Sequence, residues 1–427
     1  MRLTKFFLPA FLTVVTFLNL NAQNINGRIT SSVYAFERAS SLTEQDMFLR
    51  GYETLVLNIN QDNYSLRTRM NFETNFGNDL YSDPRFRLYN LFFEARKLFD
   101  VATVKLGRQP IFNQVASGLF DGANVKVDVS DFTLQGYFGG NVPAYQEAKV
   151  TEDWNSNRIY GGKIAYSGLD DFNFGLSYVD KNFTPIEYEA QRLDANFNPI
   201  TVLIQQASNQ YKYGSATASY MGLLDLNAVV NYDFNFMKLS KAEFSGRYEA
   251  IENLGLNLYY NYRAPQIRYN SIFAVFDFGN TQEIEAGVDY KISKAFSVIG
   301  KFGNVEYKDD NSQRFTLGLN SEYGSLSYRQ TLGYAGELSS LSFYTGRTFL
   351  DGLLTPSIGL AYTNYKLTAD ADESNDIISL LAGVNVRPWR TLSFDLQGQF
   401  SDNKIYKNDL RLFFKINYWF NTNLDIL

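Results

Sequence analysis

The chain has no cysteine and no histidine among its 427 residues. Without these residues it has no Ser-His-Asp or Cys-His catalytic group and no imidazole or thiolate metal ligand. Glu283 and Glu285 remain as a carboxylate pair, but two acids on one strand face favour a polar surface over a glycosidase site. We therefore expect a protein that is not an enzyme, with no catalytic residue, no metal and no cofactor.

Long apolar runs are almost absent as well. One run, residues 6–18, follows Arg2 and Lys5 and is too short to span a membrane as a helix. A charged start, an apolar stretch and a small-residue cleavage site are typical of a secretory signal peptide. The pattern predicts a signal peptide at residues 1–22 and a mature chain that begins at Gln23. Export without helical spans leaves the periplasm, the outer membrane or the exterior.

Positive charge is in deficit. The chain has 39 basic and 45 acidic residues, and without the two basic residues of the signal the balance is 37 against 45, a net charge of −8. A nucleic-acid partner favours a basic patch, so this balance argues against nucleic-acid binding.

Strict alternation of apolar and polar residues is what the chain has in abundance. From residue 224 to 236, Leu224, Leu226, Val230 and Phe234 fall on one parity, whereas Asn227 and Asn231 fall on the other. Successive side chains of a strand point to opposite faces, so the segment is predicted to be a half-buried strand. The 36 phenylalanines and 30 tyrosines fit the aromatic girdles of a membrane barrel.

The same alternation continues along the whole mature chain. It gives about 22 strands, within a range of 18 to 22, with short connections such as Asp62-Asn63 and Ser130-Asp131 on one side and long ones on the other. We predict an all-β fold, a transmembrane antiparallel up-and-down β-barrel, as one domain over residues 23–427. A soluble all-β sandwich or repeat protein is the alternative, which the polar face of nearly every strand disfavours.

Charged residues fall almost entirely on the parity assigned to the lumen. A charge on the lipid face near mid-bilayer costs roughly 2–4 kcal/mol, which accounts for this segregation. Each charge either pairs with a neighbouring strand or lines a polar channel, and for the ensemble we favour the channel. The candidate pore-lining residues are Arg67, Arg69, Glu73, Glu94, Arg96, Lys105, Gln109, Lys126, Asp128, Lys163, Lys241, Glu243, Arg247 and Glu249.

The early strands carry more positive than negative inward charge. Six basic residues, from Arg67 to Lys163, stand against Glu73, Glu94 and Asp128. We expect this wall to favour anionic or sugar-like solutes. A barrel with this many strands is wide, so one of the connections 110–120, 141–156 and 182–207 is expected to narrow it.

Residues 101–129 carry a recognisable pattern, in which Gly107-Arg108-Gln109 ends one strand and Asp121-Gly122 opens the next. This segment resembles a hairpin of Gram-negative outer-membrane porins, including the alginate-export type. The resemblance implies that the intervening loop lies near the pore. By parity Arg108 points outward at the rim unless a bulge re-aims it.

The last strand resembles the outer-membrane assembly signal, since apolar residues alternate from Leu410 to the aromatic Phe420, although seven residues follow. We expect an outer-membrane channel for passive diffusion of small polar or anionic solutes in a Gram-negative bacterium. Its expected partners are outer-membrane lipid, the barrel-assembly machinery and the solutes, and the resemblance also allows a homo-oligomer. The alternative is a non-conducting outer-membrane barrel with a structural or binding role.

Overall fold

The protein is described here from a computed structural model. The structure describes residues 23–39, 45–76, 84–142, 148–183, 187–193, 198–205, 210–267, 279–308, 310–334, 336–366, 373–404 and 408–424. The predicted signal peptide, residues 1–22, lies outside the described residues.

The described residues form one closed sheet of 22 antiparallel strands and a separate two-stranded hairpin. The first part of the sheet contains β1 (Gln23–Ala39), β2 (Gln45–Gln61), β3 (Tyr64–Phe76), β4 (Arg85–Leu98), β5 (Ala102–Phe112), β6 (Ser117–Val129), β7 (Phe132–Asn141), β8 (Arg158–Leu169) and β9 (Phe172–Asn182). The separate hairpin comprises β10 (Glu187–Leu193) and β11 (Pro199–Gln205).

The sheet continues after this hairpin, and the chain between β20 and β21 contains a 3-10 turn at Leu350–Gly352. No helix in the described part of the chain has the length and apolarity needed to cross a membrane. The remaining strands are β12 (Gln210–Met221), β13 (Leu224–Asp233), β14 (Lys238–Ile251), β15 (Leu254–Arg263), β16 (Thr281–Lys291), β17 (Phe296–Tyr307), β18 (Asp310–Ser321), β19 (Gly324–Gly333), β20 (Glu337–Gly346), β21 (Leu354–Lys366), β22 (Asn375–Trp389), β23 (Leu392–Asn403) and β24 (Asp409–Leu424).

The barrel closes by pairing its first strand with its last, from Gln23 opposite Leu424 to Phe36 opposite Arg411. β9 pairs with β12, so the wall continues past the β10–β11 hairpin. The predicted barrel fold and its 22 strands are confirmed. The last strand runs four residues beyond Phe420, because β1 offers backbone partners as far as Gln23. In lipid every backbone polar group must be paired internally, and closure provides this pairing at both edges.

Short turns lie at the end of the barrel that also holds Gln23 and Leu424. Asp62, Ser130, Asp171 and Asn253 occupy these turns with φ values of 48°, 50°, 66° and 64°. Two-residue hairpin turns require positive φ, which aspartate and asparagine tolerate better than most residues. The side with long connections is therefore the opposite end, as the sequence predicted.

The two faces of each strand differ in chemistry. On β13 the outward Val230 is exposed, whereas the inward Val229 and Asn231 are 2% and 3% exposed. Many outward positions elsewhere are large and apolar, and Leu176 and Leu360 are examples. The alternation read from the sequence thus becomes an apolar outer belt around a polar interior.

Candidate channel lumen

The inward faces of β2 to β8, here called the cationic wall, hold carboxylates that are each shared by two cations. Glu73 lies 3.1 Å from a nitrogen of Arg50 and 3.5 Å from one of Arg87. Glu94 lies 2.8 Å from Arg67 and 3.5 Å from the Lys105 ammonium. Both glutamates are buried, whereas the side chains of Arg67 and Lys105 are 39% and 36% exposed. The wall therefore presents cations to the interior and keeps its acids behind them.

The other candidates on this wall differ in their surroundings. Lys126 pairs with Asp128 at 2.9 Å, and both side chains are about half exposed. The Arg69 guanidinium lies over the Tyr89 ring, 5.1 Å from its centroid. Among the ion pairs of the described residues, none supplies a carboxylate to Arg69, Arg96 or Lys163. Net positive charge on this wall follows.

Gln109 has a different environment from the other candidates. It is 1% exposed, and its amide nitrogen donates to the main-chain oxygens of Lys105 at 3.2 Å and Gly122 at 3.1 Å. This side chain braces the backbone of β5 against β6 and is shielded from the open interior.

The inward faces of β14 to β18 balance their charges more closely. Lys241 pairs with Glu243 at 2.9 Å. Arg247 bonds to both Glu249 and Asp289, and its Nη1 lies 3.0 Å from an Asp289 oxygen. These contacts place the four candidates Lys241, Glu243, Arg247 and Glu249 in ion pairs within β14, and Arg247 also reaches Asp289 on β16.

Glu283 and Glu285 lie on the same inward surface and are both neutralised. Arg314 bonds to both carboxylates, at 2.7 Å from Glu285, and the Lys301 ammonium lies 3.1 Å from Glu285. The two carboxylates therefore belong to an ion-pair network with Lys301 and Arg314.

The turn between β5 and β6 folds into the barrel. Its tip is closed by the Asn113 side chain, whose oxygen accepts the backbone N–H of Val115 at 3.0 Å and of Ala116 at 2.7 Å. Residues 109–120, here called the inner hairpin, leave the side of β4 after the pair formed by Leu91 and Arg108. The pairing within the hairpin continues to Phe112 opposite Ser117.

The inner hairpin packs on a row of apolar side chains that point inward from neighbouring strands. Ile111, Ala116 and Phe120 of the hairpin are 3%, 3% and 0% exposed. They form one buried cluster with Tyr137, Ile159, Val179 and Tyr213, which belong to β7, β8, β9 and β12. Burial of this apolar surface stabilises the folded-in position.

Two polar contacts fix the hairpin near its tip. Asn231 of β13 donates to the main-chain oxygen of Gln114 at 3.3 Å, and the Lys181 ammonium donates to the oxygen of Ser117 at 3.1 Å. In order around the barrel, β13 is the eleventh strand, whereas the hairpin joins the fifth and sixth. The hairpin thus reaches inside past four strands.

Sequence reasoning identified residues 110–120 as one of three candidates for narrowing the lumen, and the structure places this one inside. The sequence signal that singles it out is a departure from the usual alternation, in which inward positions carry polar residues. Ile159, Val179 and Val229 are apolar at inward positions, where most strands carry polar residues. An inner apolar strip requires an apolar cover, and the hairpin supplies it.

A second connection covers the outside of the barrel. Arg108 and Asp121 lie opposite each other at outward positions, and they are 4% and 6% exposed. The guanidinium is bidentate, with Nε 2.7 Å and Nη2 2.9 Å from the two carboxylate oxygens. Residues 149–154, here called the outer strap, cover the pair, because Nη2 of Arg108 donates to the Lys149 oxygen at 2.6 Å.

The strap is held by both members of this pair. The backbone N–H of Thr151 donates to Asp121 at 2.8 Å, and the Trp154 ring lies edge-on to Phe138 with centroids 5.5 Å apart. Arg108 keeps its outward parity, because Leu106 and Arg108 pair with β4 in unbroken register. The expectation that charges avoid the outer face therefore fails here, since the strap and the bidentate pairing shield both charges.

Glycine is required at two positions of the Gly-Arg-Gln and Asp-Gly pattern. Gly107 has a φ of +120°, and a Cβ there would lie 2.4 Å from the Leu91 oxygen. A Cβ on Gly122 would lie 2.1 Å from the Phe138 oxygen. The pattern therefore permits close backbone approach at the base of the inner hairpin.

No protein family and no curated protein matches the chain. Among solved structures, an Escherichia coli P pilus tip assembly intermediate, PapC-PapD-PapK-PapG, is similar with a TM-score of 0.51, at 9% identity over 92% of this chain and 61% of that chain. The P pilus usher (PapC) translocation pore has a TM-score of 0.47, at 10% identity over 93% and 99% of the two chains. Acinetobacter baumannii OccAB4 has a TM-score of 0.44, at 10% identity over 95% and 99%. At such identities the similarity concerns the fold.

Proposed function

We propose that the protein is an outer-membrane channel for passive diffusion of small polar or anionic solutes. The observation that carries this proposal is the water-accessible surface of charged side chains inside a closed wall. Inward-facing Arg67, Lys105, Lys126 and Lys301 retain between 36% and 48% of their side-chain exposure. A barrel filled by its own side chains would bury them, so the described interior supports a water-filled lumen.

Width supports a channel that is narrowed from within. Twenty-two strands spaced about 4.8 Å apart and tilted by about 40° give a diameter of roughly 40 Å between opposite backbones. The inner hairpin occupies part of the cross-section of the lumen, and we propose that it narrows the channel. The residues that the sequence predicts to line the pore remain the proposed lining, with the exception of Gln109, whose side chain holds the backbone at the base of the inner hairpin.

Placement in the outer membrane rests on the outer belt. Its exposed large apolar residues match a lipid-facing surface, and a closed antiparallel barrel is one of the two architectures able to span a bilayer. Residues 1–22 would direct export, and the assembly machinery would recognise the last strand. Support for the first point is the sequence of residues 1–22, in which a charged start is followed by an apolar stretch and a small-residue cleavage site.

Conductance tests the proposal. The mature chain, folded in detergent and added to a planar bilayer, should give discrete conductance steps, and liposomes that carry it should swell in small sugars. The absence of both from protein whose folding is verified by heat-modifiable gel migration would favour the alternative, a non-conducting barrel with a structural or binding role.

Charge selectivity rests on the cationic wall, where Arg69, Arg96 and Lys163 lack carboxylate partners among the ion pairs of the described residues. A surplus of fixed positive charge raises the local concentration of anions. Reversal potentials in a salt gradient should show anion preference, and clear cation preference would remove this part of the proposal.

A further inference from the structure

The inner surface of β17 to β19 contains a pocket of about 470 Å³. Its lining includes three basic side chains, Lys301, Arg314 and Arg329, together with the hydroxyls of Thr316 and Ser327. In a closed barrel of 22 strands, β17 to β19 are the fifteenth to seventeenth in order and face β4 to β6 across the lumen. The pocket is therefore separate from the cationic wall.

Two of the three cations in this pocket are already satisfied. Lys301 and Arg314 share Glu285 at 3.1 and 2.7 Å, and Arg314 also bonds to Glu283. Against these two acids the pocket carries three cations, which leaves one positive charge in excess. We assign this excess charge to Arg329 on the basis of the residues that surround it.

No acid lies beside Arg329 in the sheet. Its direct partners are Thr316 on β18 and Ser340 on β20, and its neighbours on the same face of β19 are Ser327 and Thr331. The diagonal positions carry Arg314, Gly318, Leu338 and Ser342. Within the described residues, the guanidinium is exposed and no ion pair engages it.

We infer that this pocket binds the oxyanion group of a solute, a carboxylate, phosphate or sulfate, through Arg329. A guanidinium offers parallel N–H donors that match two oxygens of such a group, and it remains charged at any physiological pH. Thr316 and Ser327 supply hydroxyl donors on the same face. Arg314 and Lys301 are held by their glutamates, so they do not compete with Arg329 for the anion.

The inference rests on the proposed channel function and deepens it. The pocket would be a specific binding site for anions in the lumen, opposite the cationic wall. It is tested by equilibrium binding, which needs no conduction. Isothermal titration of the detergent-folded barrel with inorganic phosphate and with acetate, at constant ionic strength in chloride, distinguishes the two anion types from each other and from chloride.

Arg329→Gln is the diagnostic substitution, and it removes no ion pair. Loss of one charge-assisted bidentate contact should weaken phosphate binding roughly tenfold. Arg329→Lys keeps the charge but loses the two parallel N–H donors, so its phosphate affinity should lie between those of the wild type and Arg329→Gln. Arg387→Gln is the control, since Arg387 is an exposed arginine on β22, outside the pocket.

The outcomes separate cleanly. Weakening by Arg329→Gln alone supports the pocket. Equal weakening by Arg387→Gln would mean a diffuse potential, and wild-type binding no tighter for phosphate or acetate than for chloride would mean no site, so either result overturns the inference. Phosphate binding by a barrel that gives no conductance would reject the channel and leave the pocket standing, whereas conductance without binding would do the reverse.

Discussion

The Asn231 side-chain nitrogen donates to the main-chain oxygen of Gln114 at 3.3 Å, across 117 positions of sequence. This contact joins β13 to the tip of the inner hairpin, and both partners lie inside the barrel wall. The hairpin extends past four strands inside the barrel, and this hydrogen bond holds its tip against the wall. Its removal therefore tests whether the hairpin controls the lumen.

Asn231→Ala should leave the barrel folded and loosen the hairpin tip. A single neutral hydrogen bond contributes about 1 kcal/mol, enough to raise the population of displaced tips several-fold. We expect larger open-channel current noise in single-channel recordings. Asn227→Ala, on the same face of the same strand, is the matched control. Equal noise in both variants would contradict the role of the contact.

Replacement of residues 113–116 by two glycines is a larger change than Asn231→Ala, because it shortens the inner hairpin. It substitutes no residue of the barrel wall. If the hairpin narrows the lumen, the mean single-channel conductance should rise and the size limit for sugars in liposome swelling should increase. Unchanged conductance in a folded variant would place the constriction elsewhere.

The buried Arg108–Asp121 pair gives a prediction about stability. Asp121→Ala leaves the Arg108 charge buried without its partner, which typically costs about 3–5 kcal/mol. Asp128→Ala removes the acid of an exposed pair, with Lys126, and should cost about 0–1 kcal/mol. Urea unfolding followed by tryptophan fluorescence measures both free energies of unfolding.

A double variant identifies the cause of the loss. Arg108→Gln combined with Asp121→Asn removes both charges and should restore a large part of the stability lost in Asp121→Ala. If the double variant is as unstable as the single one, the strap contacts of Asp121 with Thr151, rather than the charge pair, carry the stabilisation.

The sequence predicted the barrel because alternation is a local property that each strand displays by itself. It also predicted the turn side, since Asp62 and Asn253 mark positive φ directly. What it left open depends on contacts between distant strands. Whether residues 109–120 fold inward depends on their contact with Val179 and Tyr213, which lie at inward positions of other strands. These two residues are up to about a hundred positions away from the hairpin in the sequence, and no local pattern connects them to it.

The outer strap was missed for a related reason. Parity placed Arg108 outward, and the structure agrees, but parity cannot supply the Lys149 and Thr151 contacts that make this position tolerable. The last strand was predicted to end at Phe420 because apolar alternation stops there. Backbone pairing with β1 carries the strand on to Leu424.

Neutralising the unpaired cations of the cationic wall should change ion preference. A variant with Arg69, Arg96 and Lys163 all replaced by glutamine lowers the fixed positive charge without breaking a described ion pair. Its reversal potential in a salt gradient should shift toward cations. Lys294→Gln, at an exposed position in the turn between β16 and β17, should leave the reversal potential unchanged. A triple variant that keeps the wild-type reversal potential would show that this wall does not set selectivity.

Two adjacent residues in the middle of β21 test which face meets lipid. Leu360 is 51% exposed on the outer belt, whereas Ala361 points inward between Ser342 and Ser379 of the neighbouring strands. Leu360→Arg would place a charge at mid-bilayer depth, at a cost of roughly 2–4 kcal/mol. Ala361→Arg would extend into the wet lumen at far lower cost. We expect the yield of heat-modifiable, membrane-assembled protein to fall sharply for Leu360→Arg and to stay near wild type for Ala361→Arg. The reverse order would show that the belt formed by Leu360 and its neighbours does not face lipid, and the assignment of every strand face would have to be inverted.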